Sequence, residues 1–333
     1  MSGKKINNAS QLIDRFGRAH SYLRLSITEN CNFRCLYCMP EQKDCHTNNN
    51  LLTPYEIEII AKEFVKLGIN KIRLTGGEPL VRKDFKDIAS RLGKLEIEKA
   101  ITTNGYLLDK HIEDLLSNNF RHVNISLDSL QPERFKEITQ RNKFQKVVEN
   151  LLLAISEGLD VKINAVIMKG FNDDELIDFA RLTLSFPVSV RFIEFMPFKK
   201  NNWSFGRLVR QEEMLEILRR EYNLQPYDDS GNYPASYYKI PGSEGKIGII
   251  GTVSKPFCDT CNRIRVTSDG KIKSCLFGTS ELDLLYHLRN KEDLSGIIHS
   301  ALSQKPFMHG DKNLIRNYEK PADETRGMYS IGG

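Results

Sequence analysis

The chain has 333 residues, 40% of them hydrophobic and 27% charged, an ordinary globular composition with room for one large domain and a small one. A net charge of +5 suits an anionic ligand but is too small to imply nucleic acid by itself. No apolar run is long enough to span a membrane, and MSGKKINNASQ has no apolar stretch behind its lysines, so neither a membrane partner nor a secretory signal is expected. In the cytoplasm, the expected location, thiols stay reduced. The seven cysteines then read as metal ligands or reactive groups, not as a disulfide framework.

Taken in chain order, strands and helices alternate. YLRLSIT (22–28) is the first predicted strand, and CNFRCLYC (31–38) follows it directly. TPYEIEIIAKEFVKLG is a predicted helix: Thr53 and Glu56 fit a capping box, Pro54 takes the first helical position, and Ile57, Ile60, Ala61, Phe64 and Leu67 recur at helical spacing before Gly68. Further strands are predicted at 71–76, 99–104, 122–128, 161–167 and 189–196, with helices at 109–118, 131–157 (broken or bent) and 173–184. Repeated βα units imply a parallel sheet with right-handed crossovers. The expected fold is α/β, an incomplete (β/α)6 TIM-like barrel, with an open doubly wound sheet as the alternative. The boundary is placed near residue 230, in the turn-rich DDSGNYPAS, which makes 1–230 the barrel and 231–333 a smaller α+β domain.

In such barrels chemistry sits at the C-terminal ends of the strands. CNFRCLYC, GGEP (76–79), TTNG (102–105), Ser126, Asp128 and Met196 all fall there. The strands also alternate, where buried parallel strands usually read as continuous apolar runs. Period two puts Arg24, Arg73, Lys162 and Arg191 on the inner faces of their strands. Buried cations need partners. Internal pairing with Glu78, Asp128 or Glu194 is one reading; a polyanion such as a polyphosphate is the other. Arg263 and Arg265 alternate in the same way.

The cysteines fall into two trios. Cys31, Cys35 and Cys38 form C-x3-C-x2-C; Cys258, Cys261 and Cys275 form C-x2-C-x13-C, and Cys45 is left without an assigned role. Structural zinc nearly always takes four protein ligands, so a distant histidine would have to complete either trio. A 4Fe-4S cluster normally takes four thiolates, and three leave one iron open to a ligand. RIRVTSDGKIKSCLF reads as a hairpin about a two-residue Asp269-Gly270 turn. That register pairs Ser268 with Lys271, sets Ile264 opposite Cys275, and returns Cys275 beside Cys258 and Cys261.

CNFRCLYC, with Tyr37 before its last cysteine, resembles the signature of the radical S-adenosylmethionine superfamily, and GGEP resembles that superfamily's motif for the cofactor's amino group. With LRLSIT, ITTNG, VNISLDSL, RFIEFM, FCDTCNRIRVTSDGKIKSCLF and the terminal IGG, the chain from Arg24 onward resembles the GTP 3′,8-cyclases, which act early in molybdenum cofactor biosynthesis. The resemblance implies two 4Fe-4S clusters, the first on Cys31, Cys35 and Cys38 with S-adenosylmethionine on its open iron, the second on Cys258, Cys261 and Cys275 with the purine of GTP at its open iron. It implies cofactor contacts from Tyr37, Gly77, Ser126 and Met196. It implies GTP contacts from Arg24, Arg73, Thr102, Lys162, Arg191, Arg263, Ile264 and Arg265. The implied reaction removes hydrogen from C3′ of GTP with a 5′-deoxyadenosyl radical and joins C3′ to C8 of guanine. No catalytic residue is implied beyond the clusters, save Gly332 and Gly333 of the tail as candidates. A flavodoxin or ferredoxin as electron donor, a homodimer, and transfer of the product to cyclic pyranopterin monophosphate synthase are also implied. Asn30, where the family commonly has Arg, and a short stretch around Cys45 depart from the family pattern, and neither touches an implied ligand. Two rivals are weighed: another radical enzyme with an auxiliary cluster, modifying peptide or RNA, and a zinc module for nucleic acid. The second would need an exposed basic patch.

Overall fold

The computed structural model describes residues 11–39, 50–198, 201–228, 234–308 and 326–331. The chain opens with a small antiparallel hairpin, β1 (Leu12–Ile13) and β2 (Ala19–His20). Six parallel strands follow: β3 (Tyr22–Ser26), β4 (Lys71–Thr75), β5 (Glu98–Thr103), β6 (Phe120–Ser126), β7 (Asp160–Ile167) and β8 (Ser189–Glu194). Between them run α1 (Pro54–Lys66), α2 (Phe85–Gly93), α3 (Leu108–Ser117), α4 (Pro132–Thr139), α5 (Phe144–Ser156) and α6 (Leu176–Ser185); α7 (Gln211–Glu221) follows β8.

The local reasons are legible. In α1 the Thr53 hydroxyl accepts from the Glu56 amide at 3.2 Å while the Glu56 carboxylate accepts from the Thr53 amide at 2.8 Å, a complete capping box. The break in the 131–157 pattern falls at Gln140, in the left-handed region at φ 55°, which ends α4 and lets α5 begin afresh. Phe85, Ile88, Ala89 and Leu92 of α2 are buried at i, i+3, i+4 and i+7. Leu23, Leu25, Ile72, Leu74, Ile101 and Val190 pack with these helical faces into one core. The apolar half of each alternating strand therefore faces the helices, leaving the polar half for the other side.

The later chain extends this same sheet at both edges. β11 (Lys246–Ile250) pairs in parallel with β8, and β10 (Ser236–Lys239) and β9 (Gln225–Tyr227) continue outward from it. β12 (Arg263–Val266) pairs in parallel with β3, and β13 (Lys271–Lys273) and β14 (Leu282–Asp283) lie beyond. The sheet has twelve strands in the order β14-β13-β12-β3-β4-β5-β6-β7-β8-β11-β10-β9. The strands expected in a smaller domain are thus continuous with the larger sheet, while the boundary expected near residue 230 lies outside the described residues. α8 (Leu284–Arg289), α9 (Leu294–Ser303) and a short helix at Met328–Ile331 complete the elements used below. Among the described residues no helix is long and apolar enough to cross a membrane.

The hairpin differs from its expected register. β12 and β13 pair Arg265 with Lys273 and Val266 with Ile272, and the Thr267 amide donates to the Lys271 carbonyl at 2.9 Å. The turn therefore holds Ser268, Asp269 and Gly270, one residue more than expected. Continued outward, this register brings Cys275 opposite Arg263, not Ile264. The cause is local: the Thr267 hydroxyl donates to the Asp269 carboxylate at 2.5 Å, and Gly270, at φ 77°, closes a three-residue turn with a bulge. A Cβ at Gly270 would meet the Leu285 Cβ at 2.5 Å, so only glycine fits.

Candidate active site

A cavity of about 460 Å³ runs along the inner face of the curved sheet. Its wall takes residues from both sheet flanks, Arg263 and Arg265 of β12 and Arg191 and Ile250 of β8 and β11. At the C-terminal ends of the strands it is lined by Cys31, Cys35, Tyr37 and Cys38, together with Gly76, Gly77, Glu78, Asn104, Ser126, Asp128 and Met196.

The loop carrying the first trio is held by GGEP. The Gly77 amide donates to the Thr28 carbonyl and the Glu78 amide to the Asn30 carbonyl, both at 2.8 Å. A Cβ at Gly77 would lie 2.5 Å from the carbonyl oxygens of Glu29 and Asn30, so glycine is what lets the two loops touch. Glu78 is 1% exposed and accepts from Thr103 Oγ1 at 2.8 Å, the Asn104 amide at 2.6 Å and the Leu80 amide at 3.0 Å. Burial nevertheless pushes its carboxyl up to about 7, against these donors. Tyr37 donates its hydroxyl to Asp128 at 2.7 Å, fixing its ring beside Cys38. Burial likewise pushes the Cys31 and Cys38 thiols up to about 12 and Cys35 well above the usual thiol range. Metal binding must displace those protons.

Below this rim lie the cations. Arg265, Arg24 and Arg73 stand side by side in the β12-β3-β4 register, and Lys162, Arg191 and Arg263 join them in the cavity wall. The carboxylates considered as internal partners are engaged elsewhere. Glu78 and Asp128 are bound as described, and Glu194 accepts from the amides of Gln211, Val253 and Ser254 at 2.7–2.9 Å. Lys162 instead pairs with Asp160 at 2.7 Å. Tyr22 reports the resulting field: burial raises its phenol, but Arg73, Arg24 and Lys71 outweigh that and bring it to about 7.

The second trio lies beside the opposite end of the cavity, where Phe257, Asn262 and Leu276 are in the lining. Cys261 precedes β12, whose first residue, Arg263, is level with Tyr22 at the N-terminal end of β3, and Cys275 follows β13 back to the same end. Burial opposes ionisation of Cys261, yet Lys305 and Arg263 bring its thiol below the usual value.

The first trio thus lines the cavity itself, while the second is represented in its wall by the chain neighbours Phe257, Asn262 and Leu276. Thr102 also lines it. Ile264 differs: its side chain is fully buried in the apolar core, on the helix side of β12, so only its backbone is turned to the site. Cys45, Gly332 and Gly333 lie outside the described residues. The tail does approach: Met328 and Tyr329 line the cavity, and Arg265 Nη1 donates to the Ile331 carbonyl at 3.4 Å. Tyr22 and Lys71 also face the cavity. Tyr22 was legible, being two residues before Arg24 on the same strand face.

Among the described residues no three His, Cys, Asp or Glu side chains close on one point as a single metal ion would need. A four-iron cluster takes each thiolate on a different iron, and three half-buried free thiols per trio fit that donor set.

A thiol trio directly after the first of six parallel strands, in the wall of a cation-lined cavity, points to the radical S-adenosylmethionine class, and the profile of the Radical SAM superfamily matches residues 25–183. That described as Molybdenum Cofactor Synthesis C matches residues 188–310. A GTP 3′,8-cyclase of Peptoclostridium acidaminophilum is 41% identical over 98% of this chain and 100% of its own length. The chain belongs to the GTP 3′,8-cyclase family. Molybdenum cofactor biosynthesis protein 1 of Homo sapiens is 47% identical over 90% of this chain and 48% of its own, so the chain spans about half the length of that relative. In fold, the chain is similar to Streptococcus suis SuiB bound to S-adenosylmethionine, with a TM-score of 0.63 at 13% identity, covering 87% of this chain and 69% of that one.

Proposed function

We propose that this protein cyclises GTP to (8S)-3′,8-cyclo-7,8-dihydroguanosine 5′-triphosphate in a reaction dependent on S-adenosylmethionine, an early step of molybdenum cofactor biosynthesis. The observation that supports the reading is a cysteine trio lining one end of the cavity and a row of cations in its wall, with Phe257, Asn262 and Leu276, next to the second trio, also in the lining. The six βα units are read as an incomplete (β/α)6 barrel, and the chain after about residue 230 as the part that brings the second cluster.

Cys31, Cys35 and Cys38 would hold one 4Fe-4S cluster and Cys258, Cys261 and Cys275 the other. When bound, the first cluster and S-adenosylmethionine supply one-electron radical chemistry. The residues do the rest. Gly77 and Ser126 offer polar groups to the cofactor at the rim, and Tyr37 and Met196 pack against it. Glu78 keeps the GGEP loop in shape. Arg24, Arg73, Lys162, Arg191 and Arg265 meet the triphosphate, which neutralises a field that the protein alone holds at a cost. Arg263, Thr102 and the backbone of Ile264 fix the nucleoside between the two ends, so that its ribose faces the rim. Such positioning matters because a reactive radical attacks what lies nearest. Gly332 and Gly333, which follow residues 326–331 in the sequence, are assigned a part in catalysis. A flavodoxin or ferredoxin as donor, a homodimer, a cytoplasmic location and hand-over to cyclic pyranopterin monophosphate synthase complete the proposal.

The test is anaerobic reconstitution with iron and sulfide, then addition of dithionite, S-adenosylmethionine and GTP. About eight irons per chain, as two four-iron clusters require, with 5′-deoxyadenosine and the cyclised nucleotide both formed, is the expected result. Formation of 5′-deoxyadenosine whose yield ignores GTP would discard the substrate. Zinc in place of iron would discard the class of chemistry.

A further inference from the structure

The second trio has a buried support that the proposed reaction does not use. Lys305, just beyond α9, is 2% exposed. Its ammonium reaches three acceptors: His20 Nε2 at 2.8 Å, the Arg263 carbonyl at 2.7 Å and Cys261 Sγ at 3.4 Å. Three donated hydrogen bonds use every proton of an ammonium, one more than a neutral amine carries. His20 is set to accept. Its Nδ1 lies 2.9 Å from the Arg18 carbonyl, which can only accept, so Nδ1 carries the ring proton and Nε2 offers its lone pair. Arg18 in turn pairs with Asp14 at 2.6 Å, and its guanidinium donates to the carbonyls of Cys258, Pro306 and Phe307. Hairpin β1–β2 and the segment after α9 therefore form one buried hydrogen-bonded unit, which grips the backbone of one cysteine and the sulfur of another.

We infer that Lys305 is a positioning residue for the second iron–sulfur cluster: held by His20 and Arg263, it fixes one ammonium against the Cys261 thiolate and favours the cluster's one-electron-reduced form. The inference rests on the reading of Cys258, Cys261 and Cys275 as cluster ligands. Reduction takes one electron from an external low-potential donor, breaks no bond and adds one negative charge to the cluster. A cation hydrogen-bonded to a ligand sulfur stabilises that added charge, and the surrounding burial leaves little water to screen it. Arg263 links this support to the cavity: its carbonyl accepts from Lys305 while its side chain lines the wall.

The test uses full-length protein in which Cys31, Cys35 and Cys38 are all replaced by Ala, reconstituted anaerobically so that only the second cluster remains. Absence of iron and of a reduced-cluster signal by electron paramagnetic resonance in this background would remove the second cluster itself. With the cluster present, a redox titration followed by the same signal compares Lys305→Met, Lys305→Gln and Lys305→Arg. The two neutral variants are expected to shift the reduction equilibrium about tenfold toward the oxidised form, a midpoint ~59 mV lower for one electron, while Lys305→Arg stays within about threefold of its parent. Midpoints equal in all variants, or Lys305→Arg shifted as far as Lys305→Met, would overturn the inference. Loss of iron from both neutral variants but not from Lys305→Arg would support it, because the charge is then what the thiolates require. Loss of iron from Lys305→Arg as well would show a packing role and overturn it.

Discussion

Arg24 of β3 and Arg73 of β4 are direct neighbours in the parallel register, with Arg265 next to Arg24 on its other side. Three like charges at one height is an arrangement a protein selected only for stability would avoid. Burial and the neighbouring Arg265 hold the Arg24 guanidinium well below its ordinary value, and burial and Arg263 bring Arg265 to about 10. Arg73 is further tied by its bonds to the Tyr22 hydroxyl and the Ile101 carbonyl, so Arg24 and Arg265 are the cleaner probes. Replacing either with Gln is expected to weaken GTP binding by roughly 10- to 100-fold, as loss of one charge-assisted contact of about 1.5–3 kcal/mol implies. In the absence of nucleotide the same variants are expected to melt at or above the wild-type temperature, because a repulsive neighbour has gone. Calorimetry and thermal melts with and without GTP check both halves. Unchanged affinity would take the residue out of the site.

The two trios are expected to separate in function. Cys261→Ser or Cys275→Ser should lower iron from about eight to about four per chain and abolish the cyclised nucleotide while leaving some 5′-deoxyadenosine, uncoupled from GTP. Cys35→Ser should abolish both products. Iron and sulfide counts with product chromatography read the difference. Normal cyclisation by a protein lacking the second set of irons would count against the assignment of that trio.

How far this site could be read from sequence depends on the range of its contacts. The inner cations follow from period two within single strands, Leu23-Arg24-Leu25 and Ile72-Arg73-Leu74, and the rim follows from what succeeds each strand. The helix at Phe85–Gly93 lies outside the predicted set although its apolar period is clear. The hairpin register turned on one residue, because Asp269-Gly270 suits a two-residue turn unless, as here, Thr267 also binds Asp269. The second support was not legible at all. His20 and Lys305 are 285 positions apart, and neither belongs to a periodic pattern that would bring them together. Nor did any local pattern show that β11 and β12 would flank the first six strands on opposite sides, since their partners β8 and β3 lie in distant parts of the chain.

Arg326 holds the tail helix in place. Its guanidinium meets Asp269 at 2.7 Å, Glu281 at 2.9 Å and Glu29 at 3.5 Å, bridging the hairpin turn to the loop before Cys31. It is 14% exposed at the side chain, and removing it strands acidic groups that are themselves largely covered. Discounted for that exposure, Arg326→Gln should weaken docking of residues 326–331 by about 2 kcal/mol, or roughly 30-fold in the docked population. The expected signs are faster amide exchange at Met328–Ile331 and a drop in cyclisation, with iron content unchanged. Exchange equal to wild type would mean that the apolar contacts of Ile331, 1% exposed, suffice without the ion pairs.

His20 supplies a pH dependence whose sign is fixed. Burial, with the charge of Lys305, lowers its imidazole from 6.5 to about 4. The unfolded chain therefore takes up a proton near pH 6.5 that the folded chain refuses until about pH 4. Across that window the unfolded state binds more protons, so stability rises with pH. The penalty is absent above about 6.5, grows as pH falls and is complete near 4, at on the order of 3 kcal/mol. Other groups titrate in the same range, so the slope of the wild-type protein alone does not isolate this one. His20→Gln does: its amide can donate to the Arg18 carbonyl and accept from Lys305, as the ring does, but carries no titrating proton. Urea midpoints measured from pH 7 to pH 4 should fall less steeply in His20→Gln than in the wild type. The two curves should lie close at pH 7 and separate toward pH 4, with the wild type the lower. Parallel curves would show that His20 does not stay neutral in the fold, and would undo the hydrogen-bond assignment that leaves its Nε2 to Lys305.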